Sequence, residues 1–330
     1  MPHIPLKYAP KLIFYGTRNY FTSKPLVISF EVTLSCNANC KHCDLGGRVK
    51  DEKRLSPDEI AKIYNRFKSP VIQISGGEPL LRKDLPEVIS KIKHNRFFPY
   101  TILVTNGWLL NRERFLKLKE AGVNQFSISL DFPDERHDEF RVMKGLFERL
   151  NKVIPQLAKN SGGEIVLNTA ITSLNVREIP KIVETAKRWG VCISFSVYTP
   201  LRTQDDSLSI KSEEDIAFLE DIFKKCKNRE GIYDAVVNSS QNLDGLLKFI
   251  KNGEVPNCQS GKRFFVVRPE GYLNPCSLHR IDFTDQKEMI KKFTSKNKCG
   301  RCYVSIRSYV EVSFLKLLWE NVSMRVLNSN

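Results

Sequence analysis

No stretch of this 330-residue chain approaches ~18 consecutive apolar residues, the length that crosses a bilayer, and its start lacks an apolar core followed by a small-residue cleavage site. A cytoplasmic chain is therefore expected. Zinc-finger spacing, an aromatic RNP-like strand and an Arg-rich tail are also missing, so no nucleic-acid partner is expected. This holds despite a net charge of +15, from 52 Lys+Arg against 37 Asp+Glu. That charge is either solvated surface or an attraction to acidic substrates or anionic lipid. Acidic residues are absent from 1–24, where Lys7, Lys11, Arg18 and Lys24 are interleaved with Phe14, Tyr15, Tyr20 and Phe21. This basic aromatic arm either packs on the core or lies on a membrane as a peripheral attachment. Pro10 and Gly16 argue against one long helix there.

What is present is a regular beat. Apolar, β-branched runs at 26–34, 71–75, 99–105, 125–130, 164–171 and 192–198 predict strands. Helical periodicity falls between and after them, at 57–68, 84–95, 111–121, 145–159, 176–189 and 213–228. Six β-α units predict a parallel sheet with right-handed crossovers, short of the eight that close a barrel. The expected fold class is α/β, a partial (β/α)6 TIM-type barrel over residues 25–230, with the site at the strand C-terminal ends. Beyond 230 the beat stops, and residues 231–330 are expected to form a small C-terminal unit ending in an amphipathic helix at 309–327. That helix either packs across the barrel or lines an apolar entrance for a lipid-like substrate.

Nine cysteines in a cytoplasmic chain point to metal rather than disulfides. Seven fall into two spaced sets. Cys36, Cys40 and Cys43 form C-x3-C-x2-C directly after the first strand. Three thiolates can hold three corners of a four-iron cluster and leave one iron open. Cys258, Cys276 and the pair Cys299 and Cys302 form a four-thiolate set that could bind zinc or iron and sulfur. Cys192 and Cys226, on a strand-like and a helix-like run, read as buried free thiols.

Strand two ends in Ser75-Gly76-Gly77-Glu78-Pro79, which is either an ordinary glycine turn or a place where backbone and carboxylate meet a bound ammonium group. Polar groups at later strand ends are Asn106, Ser129, Asp131 and Asn168, with Arg141 downstream. They could hold hydroxyls or a carboxylate. Arg141 could equally form a surface salt bridge, and Asn168 could be an inward core position. His42 reads as a packing group, with general-base chemistry as the alternative.

The C-x3-C-x2-C loop, followed one β-α unit later by Gly-Gly-Glu-Pro, closely resembles the radical S-adenosylmethionine (SAM) superfamily. The resemblance implies a partial barrel whose open iron chelates SAM, with reductive cleavage to a 5'-deoxyadenosyl radical that abstracts a substrate hydrogen. It carries the SAM-amino role to Gly76, Gly77 and Glu78. Ribose or carboxylate contacts fall to Ser129, Asp131, Asn106, Arg141 and Asn168. In this family Gly often follows the residue matching Asp131, whereas Phe132 stands here. The hairpin-like 264–275 with Gly271-x4-Cys276 resembles the shortened SPASM or twitch domain, which implies one auxiliary [4Fe-4S] cluster on Cys258, Cys276, Cys299 and Cys302. A one-electron donor such as flavodoxin or ferredoxin is implied as partner. The substrate is a peptide, a small molecule or a lipid. The rival reading is a non-catalytic zinc and iron-sulfur protein on a barrel scaffold.

Overall fold

The computed structural model describes residues 9–159, 161, 163–308 and 310–311; most of the expected 309–327 helix lies outside them. The chain runs α1 (Ala9–Phe21), β1 (Val27–Thr33), α2 (Pro57–Phe67), β2 (Val71–Gly76), α3 (Leu85–Ile92), β3 (Tyr100–Thr105), α4 (Arg112–Ala121) and β4 (Gln125–Ser129). It continues through α5 (Arg136–Arg141), α6 (Leu146–Ala158), β5 (Ile165–Ile171), α7 (Ile179–Arg188), β6 (Cys192–Val197), α8 (Glu213–Asn228) and α9 (Ser240–Asn252). β7 (Phe264–Val267), β8 (Leu273–Asn274) and α10 (Gln286–Lys292) complete the labelled elements.

The sheet has eight strands in the order β6-β5-β4-β3-β2-β1-β7-β8. The first six pair in parallel between sequence neighbours, which is the expected partial barrel. β7 then adds in parallel to the free side of β1, Val27 facing Phe264 and Phe30 facing Val267, and β8 returns antiparallel. The expected hairpin exists, and its first strand is part of the barrel sheet.

β1 shows how sequence sets the two sides. All seven of its residues are buried, and the side chains alternate. Ile28, Phe30 and Val32 join the main apolar core, as do Ile72 and Ile74 from β2. Ser29, Glu31, Gln73 and Ser75, the intervening residues, line a cavity on the other face. The interior side of β1 and β2 is thus polar, and the apolar core lies beneath the surrounding helices.

The N-terminal arm corrects the expectation drawn from Pro10 and Gly16: residues 9–21 form one 13-residue helix. Pro10 sits in the first turn, where its missing N–H would have had no partner. α1 is docked near the N-terminal strand ends, with Tyr15 stacked on Phe98 at 4.6 Å and Arg18 Nη2 donating to Phe67 O at 2.7 Å. Buried Asn19 donates to Pro25 O at 2.7 Å.

Candidate active site

The loop bearing Cys36, Cys40 and Cys43 leaves the C-terminal end of β1 and is clamped at its base by a residue the sequence did not flag. Glu52 accepts from Thr33 Oγ1 at 2.6 Å and from Leu34 N. The glycine pair then lies against the same base. Gly77 N donates to Thr33 O at 2.8 Å, and Glu78 N to Ser35 O at 2.9 Å. A Cβ on Gly77 would sit 2.2 Å from Ser35 O, and one on Gly76, with φ +120°, 2.1 Å from Thr33 O. Close approach of the cysteine loop is therefore a structural reason for both glycines.

Glu78 is almost wholly buried, and its carboxylate accepts from Thr105 Oγ1 at 2.7 Å, Asn106 N at 2.8 Å and Leu80 N at 3.0 Å. It ties the end of β2 to the end of β3. Asn106 Nδ2 reaches on to Asn37 Oδ1 in the cysteine loop at 2.8 Å.

Asp131 and Arg141 are brought together. Asp131 Oδ2 accepts from Arg141 Nε at 2.6 Å and lies 2.6 Å from Nη2, while Oδ1 accepts from Ala170 N at 3.0 Å. Both residues are buried, so Arg141 is not in a surface salt bridge. Its third nitrogen, Nη1, donates to Cys40 Sγ at 3.6 Å. Burial raises the carboxyl of Asp131, but the Arg141 guanidinium and the Ala170 amide outweigh it and hold the group below the usual range. Ser129 is half-buried beside Asn168 in register, and Asn168 Nδ2 donates to Ser194 Oγ at 3.2 Å on the facing strand.

His42 stacks on Phe140 with rings 4.9 Å apart and 8° from parallel. Burial, with Arg141 adding to it, pushes its pKa down to about 4, so the ring is neutral near pH 7 and packs.

On the Cys43 side the structure supplies Arg202, which sequence reasoning missed. Arg202 Nη1 donates to Cys43 Sγ at 3.6 Å and to Asp44 Oδ1 at 3.2 Å. Cationic donors thus face two of the three thiols in the first set. Such donors suit thiolates with a metal cluster between them better than neutral thiols. Without metal, burial pushes Cys36 up to about 11, so loading a cluster must displace protons.

Cys258, Cys276, Cys299 and Cys302 line one cavity of ≈ 240 Å³ with Ser29, Glu31, Gln73, Ser75, Ser196 and Arg202. Among the described residues no three His, Cys, Asp or Glu side chains meet closely enough to hold a single metal ion. The four thiols line one cavity, an arrangement open to a cluster or, if drawn together, to a zinc ion held by all four. Arg307, fully buried, fixes two of them: it donates to the carbonyls of Cys302 and of Pro256, two residues before Cys258, and pairs with Glu311 at 2.6 Å. His279 N donates to Cys276 Sγ at 3.3 Å, and His279 Nε2 lies 3.4 Å from Cys299 Sγ. Cys192 and Cys226 are free, the first half-buried and the second buried.

Of the residues missed, only Glu31 carried a signal, as an acid inside an apolar strand that must find a partner once buried. Arg202 and Arg307 sit in unremarkable local sequence.

A model of the radical SAM superfamily matches residues 30–186. The Fe-coproporphyrin III synthase of Methanosarcina barkeri is 31% identical over 237 residues, covering 69% of this chain, and the chain spans only 58% of that protein. The AdoMet-dependent heme synthase of the same organism is 29% identical over 318 residues, 85% of this chain and 89% of that one. A probable GTP 3',8-cyclase of Methanococcus maripaludis is 30% identical over 270 residues, 77% and 86%. Among solved structures, Streptococcus suis SuiB bound to S-adenosylmethionine matches with a TM-score of 0.63 at 16% identity, covering 92% of this chain and 72% of that chain. At that identity the likeness is one of fold.

Proposed function

The chain belongs to the radical SAM superfamily and is an enzyme that uses a [4Fe-4S] cluster and SAM; on that premise we propose that its substrate is a small polar molecule bound in the cavity between the barrel strands and the second cysteine set. When bound, the cluster on Cys36, Cys40 and Cys43 and its SAM supply reductive cleavage to a 5'-deoxyadenosyl radical. The protein's own residues hold and shield that chemistry. Glu52 and the Gly76-Gly77 backbone fix the loop, and Arg141 and Arg202 balance charge at the thiolates. Ser129, Asn168, Asn106 and the Gly76, Gly77 and Glu78 backbone are the proposed SAM contacts. Asp131 acts through Arg141, and the Glu78 side chain acts by joining two strand ends.

The observation that carries the substrate class is the lining of the cavity. Ser29, Gln73, Ser75 and Ser196 offer hydroxyls and an amide, with the Glu31 carboxylate and the Arg202 guanidinium beside them, and apolar side chains such as Leu201, Phe264 and Val266 complete the lining. Ser29 and Ser75 bond each other at 2.8 Å and Glu31 is paired with Arg268, so a ligand here would meet a prebuilt polar wall beside apolar side chains. The names of the three curated relatives refer to small molecules, a tetrapyrrole or a nucleotide, rather than to peptides or lipids. The four cysteines of the second set are proposed to hold one closed auxiliary [4Fe-4S] cluster, for electron transfer or structure, and a flavodoxin or ferredoxin is the proposed reductant.

Anaerobic reconstitution tests the reading: two such clusters require about eight irons per chain, and reduction with SAM should release 5'-deoxyadenosine. Release should rise with a polar small-molecule substrate. Stimulation confined to peptides or lipid vesicles would overturn the substrate class, and zinc without SAM cleavage would overturn the cluster assignment. Peripheral membrane attachment is a separate proposal, supported by Ile13, Phe14 and Phe21 exposed on α1 beside its basic residues. No helix among the described residues is long and apolar enough to cross a membrane. Co-sedimentation with anionic vesicles, abolished in a Phe14→Ser/Phe21→Ser variant, is the expected result.

A further inference from the structure

Five charged side chains alternate in sign between the two cysteine sets: Arg268, Glu31, Arg202, Asp44 and Arg280. Arg268 Nη1 lies 3.1 Å from Glu31 Oε2, and Arg202 Nη2 lies 3.9 Å from Glu31 Oε1. Arg202 Nη1 is 3.2 Å from Asp44 Oδ1, and Arg280 Nη2 is 2.6 Å from Asp44 Oδ2. The members come from β1, the loop after Cys43, the exit of β6, the β7–β8 connection and the loop after Cys276. Arg202, in the middle, touches both cysteine loops. Nη1 donates to Cys43 Sγ at 3.6 Å, and Nη2 donates to the carbonyl of Ser277, the residue after Cys276, at 3.5 Å.

The distances separate what Arg202 does from what its neighbours do. Glu31 is 4% exposed and must be paired, but Arg268 is closer to it than Arg202 is. Asp44 likewise has a closer partner in Arg280. Removing Arg202 therefore leaves neither carboxylate without a cation. What no other side chain among the described residues provides is the guanidinium on the Cys43 sulfur. At Cys40 the corresponding donor, Arg141, has its charge balanced by Asp131 at 2.6 Å. Counting Glu270, 4.0 Å from Arg268, the network has three cations and three carboxylates, and Arg202 is the cation that lies on a sulfur of the first cysteine set.

A reduced cluster carries one more negative charge than an oxidised one, and both nearby charge and hydrogen bonds to its sulfurs set its potential. We propose that Arg202 is a positioning residue that raises the reduction potential of the cluster held by Cys36, Cys40 and Cys43, by donating to the Cys43 sulfur while anchored to the second cysteine loop. This rests on the reading that the first set holds a cluster with an iron open to SAM.

The test is an EPR-monitored redox titration of the anaerobically reconstituted full-length enzyme, wild type beside Arg202→Gln and Asp44→Asn. The signal that changes on adding SAM belongs to the first set, because only that cluster has an open iron. Arg202→Gln should shift the midpoint of that signal to lower potential and move the second cluster less. Asp44→Asn, which removes a carboxylate from the same network, should shift it upward. A midpoint unchanged in Arg202→Gln overturns the inference, since a role confined to holding the fold would not move it. Should Arg202→Gln take up no cluster, Asp44→Asn decides: an upward shift supports the inference and an unchanged midpoint overturns it. A wild type that takes up no iron, or whose signal ignores SAM, defeats the cluster reading itself, an outcome distinct from a loaded wild type with unshifted variants.

Discussion

Asp131 is surrounded by groups that need its charge. Arg141 spends two nitrogens on one of its oxygens, and the amide of Ala170 meets the other. Replacing it with alanine leaves a buried guanidinium without an anion, a change that costs roughly 3–5 kcal/mol. Denaturant unfolding of the metal-free Asp131→Ala variant should show a loss of that size, and a loss under about 1 kcal/mol would mean Arg141 finds another partner. His42 gives a pH signature at the same scale. Its pKa is pushed down to about 4 by burial, against about 6.5 in an unfolded chain. Between those values the unfolded chain binds a proton that the folded one refuses. The contribution is thus complete above pH 6.5 and drains away as pH falls toward 4. His42→Phe keeps the stack on Phe140 and removes the titration. Its stability should fall less than that of wild type between pH 7 and 5, by roughly 2 kcal/mol at pH 5. Parallel pH profiles would show that the ring is not held neutral by burial.

The turn after β2 matters less for a ligand-binding side chain than for how closely two backbones approach. A Cβ on Gly77 would press on two carbonyls, Ser35 O at 2.2 Å and Leu34 O at 2.6 Å, and backbone cannot swing aside as a side chain tip can. Gly77→Ala should therefore displace the first cysteine loop and spare the second set, so that reconstitution yields about four irons per chain rather than eight. Full iron uptake would refute this. The same geometry explains what was legible in the sequence. The six barrel strands and their helices could be read because their signals are local: buried β-branched runs, and caps such as Ser56 with Glu59 at the start of α2. The cysteines and glycines were legible for the same reason, since their meaning lies in spacing. α1 was misread because Pro10 counts against a helix interior but not a first turn. Arg202, Glu52 and Arg307 were invisible because their partners lie far away in sequence and the fold alone selects them. The pairing of Asp131 with Arg141 was hidden in the same way: both were picked out as separate ligand contacts, and the turn after β4 joined them.

At the scale of the whole molecule, the second cysteine set and the barrel share a sheet. β1 is flanked by β2 on one side and β7 on the other, which is why all seven of its residues are buried and why 26–34 reads as a nearly continuous apolar run. Phe264, Phe265, Val266 and Val267 are each no more than 3% exposed. Phe265 stacks edge-on against Phe67 of α2 with centroids 5.1 Å apart, and Val267 belongs to the main core. A cut at 230, where the β-α beat ends, would strip β7 from β1 and leave an apolar strand edge open to pairing with other chains. It would also remove Arg268 and leave Glu31 with Arg202 at 3.9 Å as its nearest cation. We expect residues 1–230 expressed alone to collect in the insoluble fraction or to bind a hydrophobic dye, while the full chain stays dispersed and melts cooperatively. If the fragment is instead soluble, melts in one transition and takes up a SAM-responsive cluster, then the boundary at 230 separates two autonomous domains, and β7 is an accessory to the barrel rather than one of its working strands.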